Sequence, residues 1–251
     1  MELKKNYYGS LCTEMYEILH EKAPQDELEF YLSYAEKEMS ILEPLCGSGR
    51  FLIPFLEKGY QIKGVDNSRE MLEKLKQKAP DSMVEQSDIE KYQTQESFDY
   101  IFISSGSVSL FTDMESCKSI LSKMKTLLKK GGKFVFAVDT TANRCPDTDE
   151  YKESISVRTK ENYELVLKTK SYFDETSHTQ FGPGLYELYC GTELLQEERM
   201  DFQTHLYELG EMESILKEIG FTTVLVYSSF EKEIAEDNCS EMFLYECSLI
   251  I

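Results

Sequence analysis

The chain has 251 residues, a length typical of one large domain or of one domain that carries a substantial insertion. Folding at this size buries roughly 70–75% of the unfolded surface, so neither a disulfide nor a metal is needed for stability. The sequence contains 27 Lys and Arg against 46 Asp and Glu, a net charge of −19. Such an acidic surface repels phosphates, which argues against nucleic acid and anionic membranes as partners.

The seven cysteines form no CxxC or CxH cluster and are odd in number, so neither a zinc site nor a disulfide framework is expected. The N-terminal segment MELKKNYYGSL lacks the apolar run of a signal peptide. No window approaches the roughly 18 apolar residues of a membrane-spanning helix. We therefore expect no membrane association and a cytoplasmic location.

The N-terminal segment, residues 1–38, is predicted to be a helical lid packed across the top edge of a sheet. Its apolar and tyrosine side chains recur at helical spacing, namely Tyr7, Tyr8, Leu11, Met15, Tyr16 and Leu19.

Residues 39–139 alternate short apolar runs with longer periodic ones, which is typical of strand–helix units on a parallel sheet. The predicted strands are 40–45, 61–66, 83–87, 100–104 and 133–139, and the predicted helices are 50–58, 69–78 and 114–129. Ser68 and Asp113 are suitable N-cap residues for the second and third helices, and Gly131-Gly132 is expected to end the third.

Residues 140–207 are predicted to be an antiparallel β insertion after the fifth strand, with strands at 154–158, 163–173, 185–189 and 194–206. Residues 208–251 resume the first pattern, with a helix at 209–219 and strands at 222–228 and 242–249. The predicted fold class is therefore α/β, a doubly wound, mostly parallel, seven-stranded Rossmann-like sheet with an inserted subdomain. The insertion is expected to act as an acceptor lid or as a dimerisation element, in a monomer or a homodimer.

The segment 41–50, ILEPLCGSGR, holds the most informative motif. Gly47 and Gly49 lie where a strand turns into a helix, and glycines there let a ligand approach the backbone. Asp66 ends the next strand 19 residues after Gly47, near the spacing at which an acid holds ribose hydroxyls. Both a dinucleotide and an S-adenosylmethionine site fit this pattern, although Leu52 stands where GxGxxG requires its third glycine.

The motif resembles that of the class I S-adenosylmethionine-dependent methyltransferases, acid-x-Gly-x-Gly-x-Gly. Glu43, Gly47 and Gly49 match it, whereas Leu45 replaces the first glycine. The resemblance continues through 64–72 (GVDNSREML), 86–89 (QSDI), 98–104 (FDYIFIS) and 127–134 (LLKKGGKF). Five motifs in family order make this resemblance specific, and it implies a methyltransferase sheet.

The resemblance implies S-adenosylmethionine as cofactor and S-adenosylhomocysteine as product. It places Asp66 at the ribose hydroxyls, Asp88 and the Ile89 backbone at adenine, Met71 and Ile89 against the purine, and Ser104 at the methionine end. Glu43 is expected to orient the glycine loop or to meet the ammonium through water. The remaining expected cofactor-binding residues are Leu45, Gly47, Gly49, Arg50 and Asn67, with Tyr8 and Tyr16 covering the cofactor.

The methyl acceptor is harder to read from the sequence. The fourth strand is followed by Ser-Ser-Gly-Ser at 104–107, and not by the Asn/Asp-Pro-Pro-Tyr or Pro-Cys of nucleic-acid and protein-amide methyltransferases. The expected acceptor is therefore an oxygen or nitrogen atom of a small molecule or short peptide, methylated by direct in-line transfer. Candidates for binding or deprotonating it are Arg144, His178, Tyr186, Tyr189 and His205.

Two other functions remain open on the sequence. A non-catalytic sensor of S-adenosylmethionine or S-adenosylhomocysteine would use the same pocket. A nicotinamide-dependent oxidoreductase is disfavoured by Leu52 and by Glu43 and Leu45 ahead of the glycines.

Overall fold

The structure, a computed structural model, describes residues 5–249. Its helices and strands are, in chain order, α1 (Ser10–Leu19), α2 (Gln25–Leu32), β1 (Ser40–Pro44), α3 (Leu52–Glu57), β2 (Gln61–Asp66), α4 (Arg69–Lys78), β3 (Met83–Gln86), β4 (Phe98–Ile103), α5 (Met114–Leu127) and β5 (Leu128–Asp139). After β5 follow β6 (Thr148–Arg158), β7 (Glu164–Asp174), β8 (Thr179–Phe181), β9 (Gly184–Cys190), β10 (Glu193–Met200), β11 (Gln203–His205), α6 (Glu211–Ile219), β12 (Thr223–Tyr227) and β13 (Met242–Ser248).

The main sheet has seven strands in the order β3-β2-β1-β4-β5-β13-β12. The first five run parallel, and β13 is antiparallel to both β5 and β12. This confirms the predicted doubly wound, mostly parallel sheet. Because the parallel strands share one direction, their carboxyl ends meet at one edge, where such sheets bind ligands.

Helices cover both faces of this sheet, which explains why its central strands are continuous apolar runs. In β4 the side chains alternate between the faces, as strand geometry requires. Tyr100 and Phe102 pack with residues of α2 and α3, whereas Ile101 and Ile103 pack with residues of α5 and α6. All four are fully buried.

The third helix of the sheet region ends earlier than the sequence predicts. Helix α5 stops at Leu127, and Gly131-Gly132 lies inside β5 instead of ending the helix. The register between β4 and β5 is irregular here, and a Cβ on Gly132 would lie 3.0 Å from the carbonyl oxygens of Asp99 and Lys129. The two glycines therefore allow a bulge with close backbone approach, for which the sequence pattern gives no separate signal.

The N-terminal segment contains two helices and not one continuous helix. The break precedes Pro24, which is the N-cap of α2. Helix α1 packs its Leu11, Cys12 and Met15 against Tyr186 and Met200 of the insertion. Residues 1–4 of the predicted lid lie outside the described residues, as do residues 250 and 251 of the last predicted segment.

The segment 140–207 forms a second, antiparallel sheet of six strands, β6 to β11. The predicted strand 194–206 is in fact two strands, β10 and β11, because the chain leaves one partner strand after Met200 and joins β8 at Gln203. The short strand β8 has no counterpart in the sequence prediction. Within residues 5–249, no helix combines the length and hydrophobicity that a bilayer-spanning segment needs.

Candidate functional site

A cavity of about 430 Å³ lies at the carboxyl edge of the main sheet, beneath the N-terminal segment. Most of the residues expected to bind the cofactor line it, namely Tyr8, Tyr16, Leu45, Gly47, Arg50, Asp66, Asn67, Met71, Asp88, Ile89 and Ser104. Two expected residues, Glu43 and Gly49, are not among its lining residues. The ends of β1, β2 and β4 and the turn after β3 thus converge on one cavity, as the strand order requires.

The loop after β1 is held in an unusual backbone conformation, with positive φ at Leu45 (58°), Gly47 (52°) and Gly49 (85°). The two glycines have different surroundings. A Cβ on Gly47 would meet nothing within 4 Å, whereas a Cβ on Gly49 would lie 2.9 Å from Cγ of Leu75 and 3.0 Å from Cγ1 of Ile53. Gly47 therefore faces open space at the cavity, and Gly49 allows the loop to pack against the helices behind it.

Asp66 is the last residue of β2, and its side chain contacts the loop after β1. One carboxylate oxygen accepts a hydrogen bond from the Gly47 N–H at 2.8 Å, and the other accepts one from the Ser68 N–H at 2.8 Å. Burial raises the pKa of Asp66, and the backbone N–H groups of Ser68, Gly47 and Asn67 oppose that rise. Each oxygen keeps a further lone pair, so the carboxylate can also accept hydrogen bonds from a ligand's hydroxyls.

Glu43, the acid of the first motif, is only 1% exposed. Burial and the nearby Asp66 raise its pKa well above the usual value, while Arg50 and Ser104 act in the opposite direction. Its Oε2 has no hydrogen-bond partner among residues 5–249. Glu43 therefore lies behind the cavity wall with unused hydrogen-bonding capacity.

The cavity is also lined by residues that the sequence analysis did not name as cofactor or acceptor contacts. The turn after β3, the segment between β4 and α5, and α5 itself contribute Glu90, Ser105, Ser107, Leu110, Phe111, Thr112, Asp113, Ser116 and Ile120. Asp113 caps α5 by accepting a hydrogen bond from the Ser116 N–H at 2.8 Å, as predicted. The signal available in the sequence was positional, since both segments follow strands that end at the ligand edge.

The N-terminal segment forms the roof of the cavity, and hydrogen bonds hold it in place on two sides. Tyr7 donates a hydrogen bond to Glu70 at 2.7 Å, and the Ser68 hydroxyl donates to the Tyr8 carbonyl oxygen at 2.7 Å. The Asn6 amide donates to the carbonyl oxygens of Leu110 and Gln203 at 2.9 and 2.8 Å. Burial raises the pKa of Tyr7 to about 12, so its phenol stays a neutral hydrogen-bond donor at physiological pH.

None of the proposed acceptor residues is among those that line this cavity. Tyr186 is 8% exposed and packs in the apolar cluster under α1. Arg144 pairs with Glu175 at 2.6 Å and lies over the Phe173 ring, with 4.3 Å from Cζ to the ring centroid. Sequence patterning assigned these residues to a strand-rich insertion but did not determine which face of its sheet each occupies.

The two candidate histidines lie together in the insertion. The His178 and His205 rings are 6.1 Å apart, and His205 Nε2 lies 2.7 Å from Oε1 of Glu211 on α6. Tyr189, the remaining candidate, donates a hydrogen bond to Glu187 at 2.7 Å and also does not line the cavity. These contacts are packing and hydrogen-bond interactions within the insertion and between the insertion and α6.

The carboxyl group of Asp139, at the end of β5, has a raised pKa, which predicts how the stability of the protein depends on pH. Burial raises its pKa to about 6, opposed by a long hydrogen bond from Asn143. The unfolded chain ionises this carboxyl near pH 4 and the folded chain only near pH 6, so the Asp139 contribution to stability falls as the pH rises between those values.

Asp139→Asn should therefore raise the free energy of unfolding at pH 8 by roughly 1–2 kcal/mol, less than the full shift implies because the side chain is half-buried. At pH 5 the gain should be about half as large, because the loss of stability is only partly developed there. Urea unfolding of parent and variant at both pH values measures the difference, and an equal gain at both would contradict the assignment.

The strands that border this cavity are similar to those of known proteins. A family model for the methyltransferase domain matches residues 41–132. A protein of Geobacillus sp. (strain WCH70) that is named as a methyltransferase is 22% identical over 245 residues, which cover 91% of this chain and 94% of that protein.

Solved structures share the fold over nearly the whole chain. An S-adenosylmethionine-dependent methyltransferase from Clostridium acetobutylicum ATCC 824 has a TM-score of 0.76 at 16% identity, covering 94% of this chain and 97% of that one. The sugar N-methyltransferase KedS8 from Streptoalloteichus sp ATCC 53650 has a TM-score of 0.74 at 17% identity, covering 100% and 99%. The family model spans the glycine loop and the four strands whose ends form the cavity, and the whole chain shares its fold with S-adenosylmethionine-dependent methyltransferases.

Proposed function

We propose that this protein is an S-adenosylmethionine-dependent methyltransferase that transfers a methyl group directly to an oxygen or nitrogen atom of a small molecule or short peptide. When bound, S-adenosylmethionine supplies an electrophilic methyl group on a sulfonium. The observation that supports the proposal most is the single cavity at the ligand edge, into which the expected ribose, adenine and methionine contacts all converge.

The chemistry of the lining suits the cofactor's polar groups. Asp66, Asp88, Glu90 and Asp113 line the cavity, and carboxylates complement a sulfonium, an ammonium and hydroxyl donors. The same acids would repel a pyrophosphate, which argues against a dinucleotide. We assign Asp66 to the ribose hydroxyls, Asp88 and Ile89 to adenine, with Met71 and Ile89 packing on the purine, and Ser104 to the methionine end.

Direct transfer is favoured over a covalent relay through the protein. Cys46 is the cysteine among the cavity's lining residues, and burial raises the pKa of its thiol well above the usual value. A protonated thiol is a poor nucleophile, so Cys46 is unsuited to carry the methyl group. Rate acceleration would then come from holding the acceptor in line with the sulfonium and from excluding water.

A small acceptor is supported by the charge and by the roof. A net charge of −19 disfavours nucleic acid as substrate, and a roof fastened at Tyr7, Tyr8 and Asn6 restricts access to the cavity. The neighbour KedS8 is a sugar N-methyltransferase, which agrees with a small amine acceptor but does not identify it.

The direct test is methyl transfer by the purified protein. Small amines, hydroxyl compounds and short peptides are offered as methyl acceptors together with S-adenosylmethionine. We expect S-adenosylhomocysteine to be released with acceptors of one of these chemical classes. Calorimetry should show binding of both cofactor forms without acceptor. Binding of both forms with turnover only on DNA, RNA or folded protein would contradict the small-acceptor proposal.

The roof is proposed to be a lid that the cofactor orders further. Glu198 of the insertion caps α1, accepting hydrogen bonds from the N–H groups of Leu11 and Cys12, each at 3.0 Å. Losing such a cap costs about 1 kcal/mol, so Glu198→Ala should speed opening of α1 roughly fivefold. Hydrogen exchange measures this opening in residues 10–19.

Adding S-adenosylhomocysteine should slow exchange across residues 5–20 in the parent, because Tyr8 and Tyr16 line the cavity. Exchange that is equally fast with and without ligand would contradict the lid and leave α1 as a permanently docked helix.

A further inference from the structure

Glu27 of α2 is a buried carboxylate that borders the cavity from behind. It is 4% exposed, although α2 otherwise presents acids to solvent. Its Oε1 accepts a hydrogen bond from the Ser105 N–H at 2.7 Å and lies 3.1 Å from the Ser105 hydroxyl oxygen. A buried carboxylate is costly to desolvate, so contacts this short to a cavity-lining residue call for a specific role.

Ser105 connects Glu27 to Arg50, because it is hydrogen-bonded to both residues. The serine has a φ of 55°, a left-handed conformation that non-glycine residues rarely adopt. Its hydroxyl accepts a hydrogen bond from Arg50 Nη2 at 2.6 Å. Because a guanidinium can only donate and an ionised carboxylate can only accept, the Ser105 hydroxyl must donate to Glu27. The direction of the chain Arg50 to Ser105 to Glu27 is therefore determined.

Arg50 lies at the end of the cavity near Tyr16 and Phe51, with 5.7 and 5.2 Å from Cζ to the ring centroids. Its Nε is buried and has no hydrogen-bond partner within residues 5–249, and the same holds for Oε2 of Glu43. An unpaired donor and an unpaired acceptor thus occur in the same loop region. Arg50 lines the cavity, so its guanidinium can meet a ligand's carboxylate there, whereas Glu43 lies behind the cavity wall.

We infer that Glu27 is a positioning residue that, through the Ser105 hydroxyl, holds the Arg50 guanidinium to receive the carboxylate of an α-amino-acid ligand end. The inference rests on the proposed function, because that ligand end is the methionine part of the cofactor. It adds that recognition of the amino-acid end depends on α2, an element outside the sheet. Selectivity for ligands that carry this end should then depend on a residue that does not touch them.

The test compares two ligands that differ in this end, S-adenosylhomocysteine and 5′-methylthioadenosine. In Glu27→Gln, calorimetry should show at least about tenfold weaker binding of S-adenosylhomocysteine, the loss expected when a charge-assisted network is broken. Binding of 5′-methylthioadenosine, which lacks the amino-acid end, should change less than about threefold. Glu29→Gln, the same substitution at an exposed position of the same helix, should change neither affinity.

Ser105→Ala provides a second variant, because it breaks the chain and leaves both charged groups in place. It should show the same ligand selectivity as Glu27→Gln, and the double variant should be no weaker than the stronger single one. Equal weakening of both ligands, or no change with either, would overturn the inference and leave Glu27 as a purely structural group. If the parent itself binds neither ligand, the proposed function fails and not only the role of Glu27.

Discussion

Asp66→Ala should weaken binding of S-adenosylmethionine by at least 1–3 kcal/mol, roughly fivefold to more than a hundredfold. Two losses combine in this variant. The carboxylate that we assign to the ribose hydroxyls is removed, and the N–H groups of Gly47 and Ser68, which it accepts from at 2.8 Å each, lose their partner. The glycine loop is then held less well in its cavity-facing conformation. Calorimetry with both cofactor forms measures the change.

Asp81→Ala is the matched control, since Asp81 is exposed and has no role in the cavity. It should bind the cofactor as the parent does. Asp66→Asn keeps the size of the side chain and a carbonyl oxygen, so it should fall between the alanine variant and the parent. Affinity for Asp66→Ala equal to that of the parent would show that the ribose is placed wrongly.

Gly49→Val should lower the free energy of unfolding by about 2–5 kcal/mol. A left-handed backbone costs a non-glycine residue about 1–2 kcal/mol, and overpacking a core adds about 1–3 kcal/mol. Both apply here, because Gly49 has a φ of 85° and its Cβ would lie 2.9 Å from Leu75 and 3.0 Å from Ile53. Thermal or urea unfolding without ligand measures the loss.

Gly191→Val separates the two contributions. Gly191 also has a positive φ, of 62°, but a Cβ there would meet nothing within 4 Å. Its loss of stability should therefore be smaller by the packing part, about 1–3 kcal/mol. Equal losses of stability at Gly49 and Gly191 would mean that Leu75 and Ile53 move aside without a cost in free energy. The sequence analysis treated Gly49 as a contact of the cofactor, and its surroundings assign it instead to packing of the loop.

Much of the cavity lining could be predicted from the sequence because its parts follow strands in a regular pattern. Gly47, Asp66 and Asp88 each come directly after a predicted parallel strand or within two residues of its end, and such ends meet at one edge of a doubly wound sheet. Local order along the chain was then sufficient to bring them together. The N-caps Ser68 and Asp113 were predictable for a similar reason, since capping depends on residues three positions apart.

The acceptor candidates could not be assigned in this way. A strand places alternate side chains on opposite faces, but periodicity alone does not say which face meets α1 and which meets a ligand. Tyr186 faces the apolar cluster under α1, and His205 pairs with Glu211 of a helix that follows the insertion. These partners are distant in sequence, so no local pattern indicates them.

The sequence by itself determined the main strands, the glycine loop and the acids at the strand ends, because each depends on neighbouring residues and on a general rule of sheet topology. Only the tertiary structure decided that Gly49 packs inward, that α1 docks on the insertion, and that Glu27 reaches Arg50 through Ser105. The physical reason is the same in all three cases. Each depends on contacts between elements distant in the chain, where burial and hydrogen-bond geometry, and not local propensity, select the arrangement.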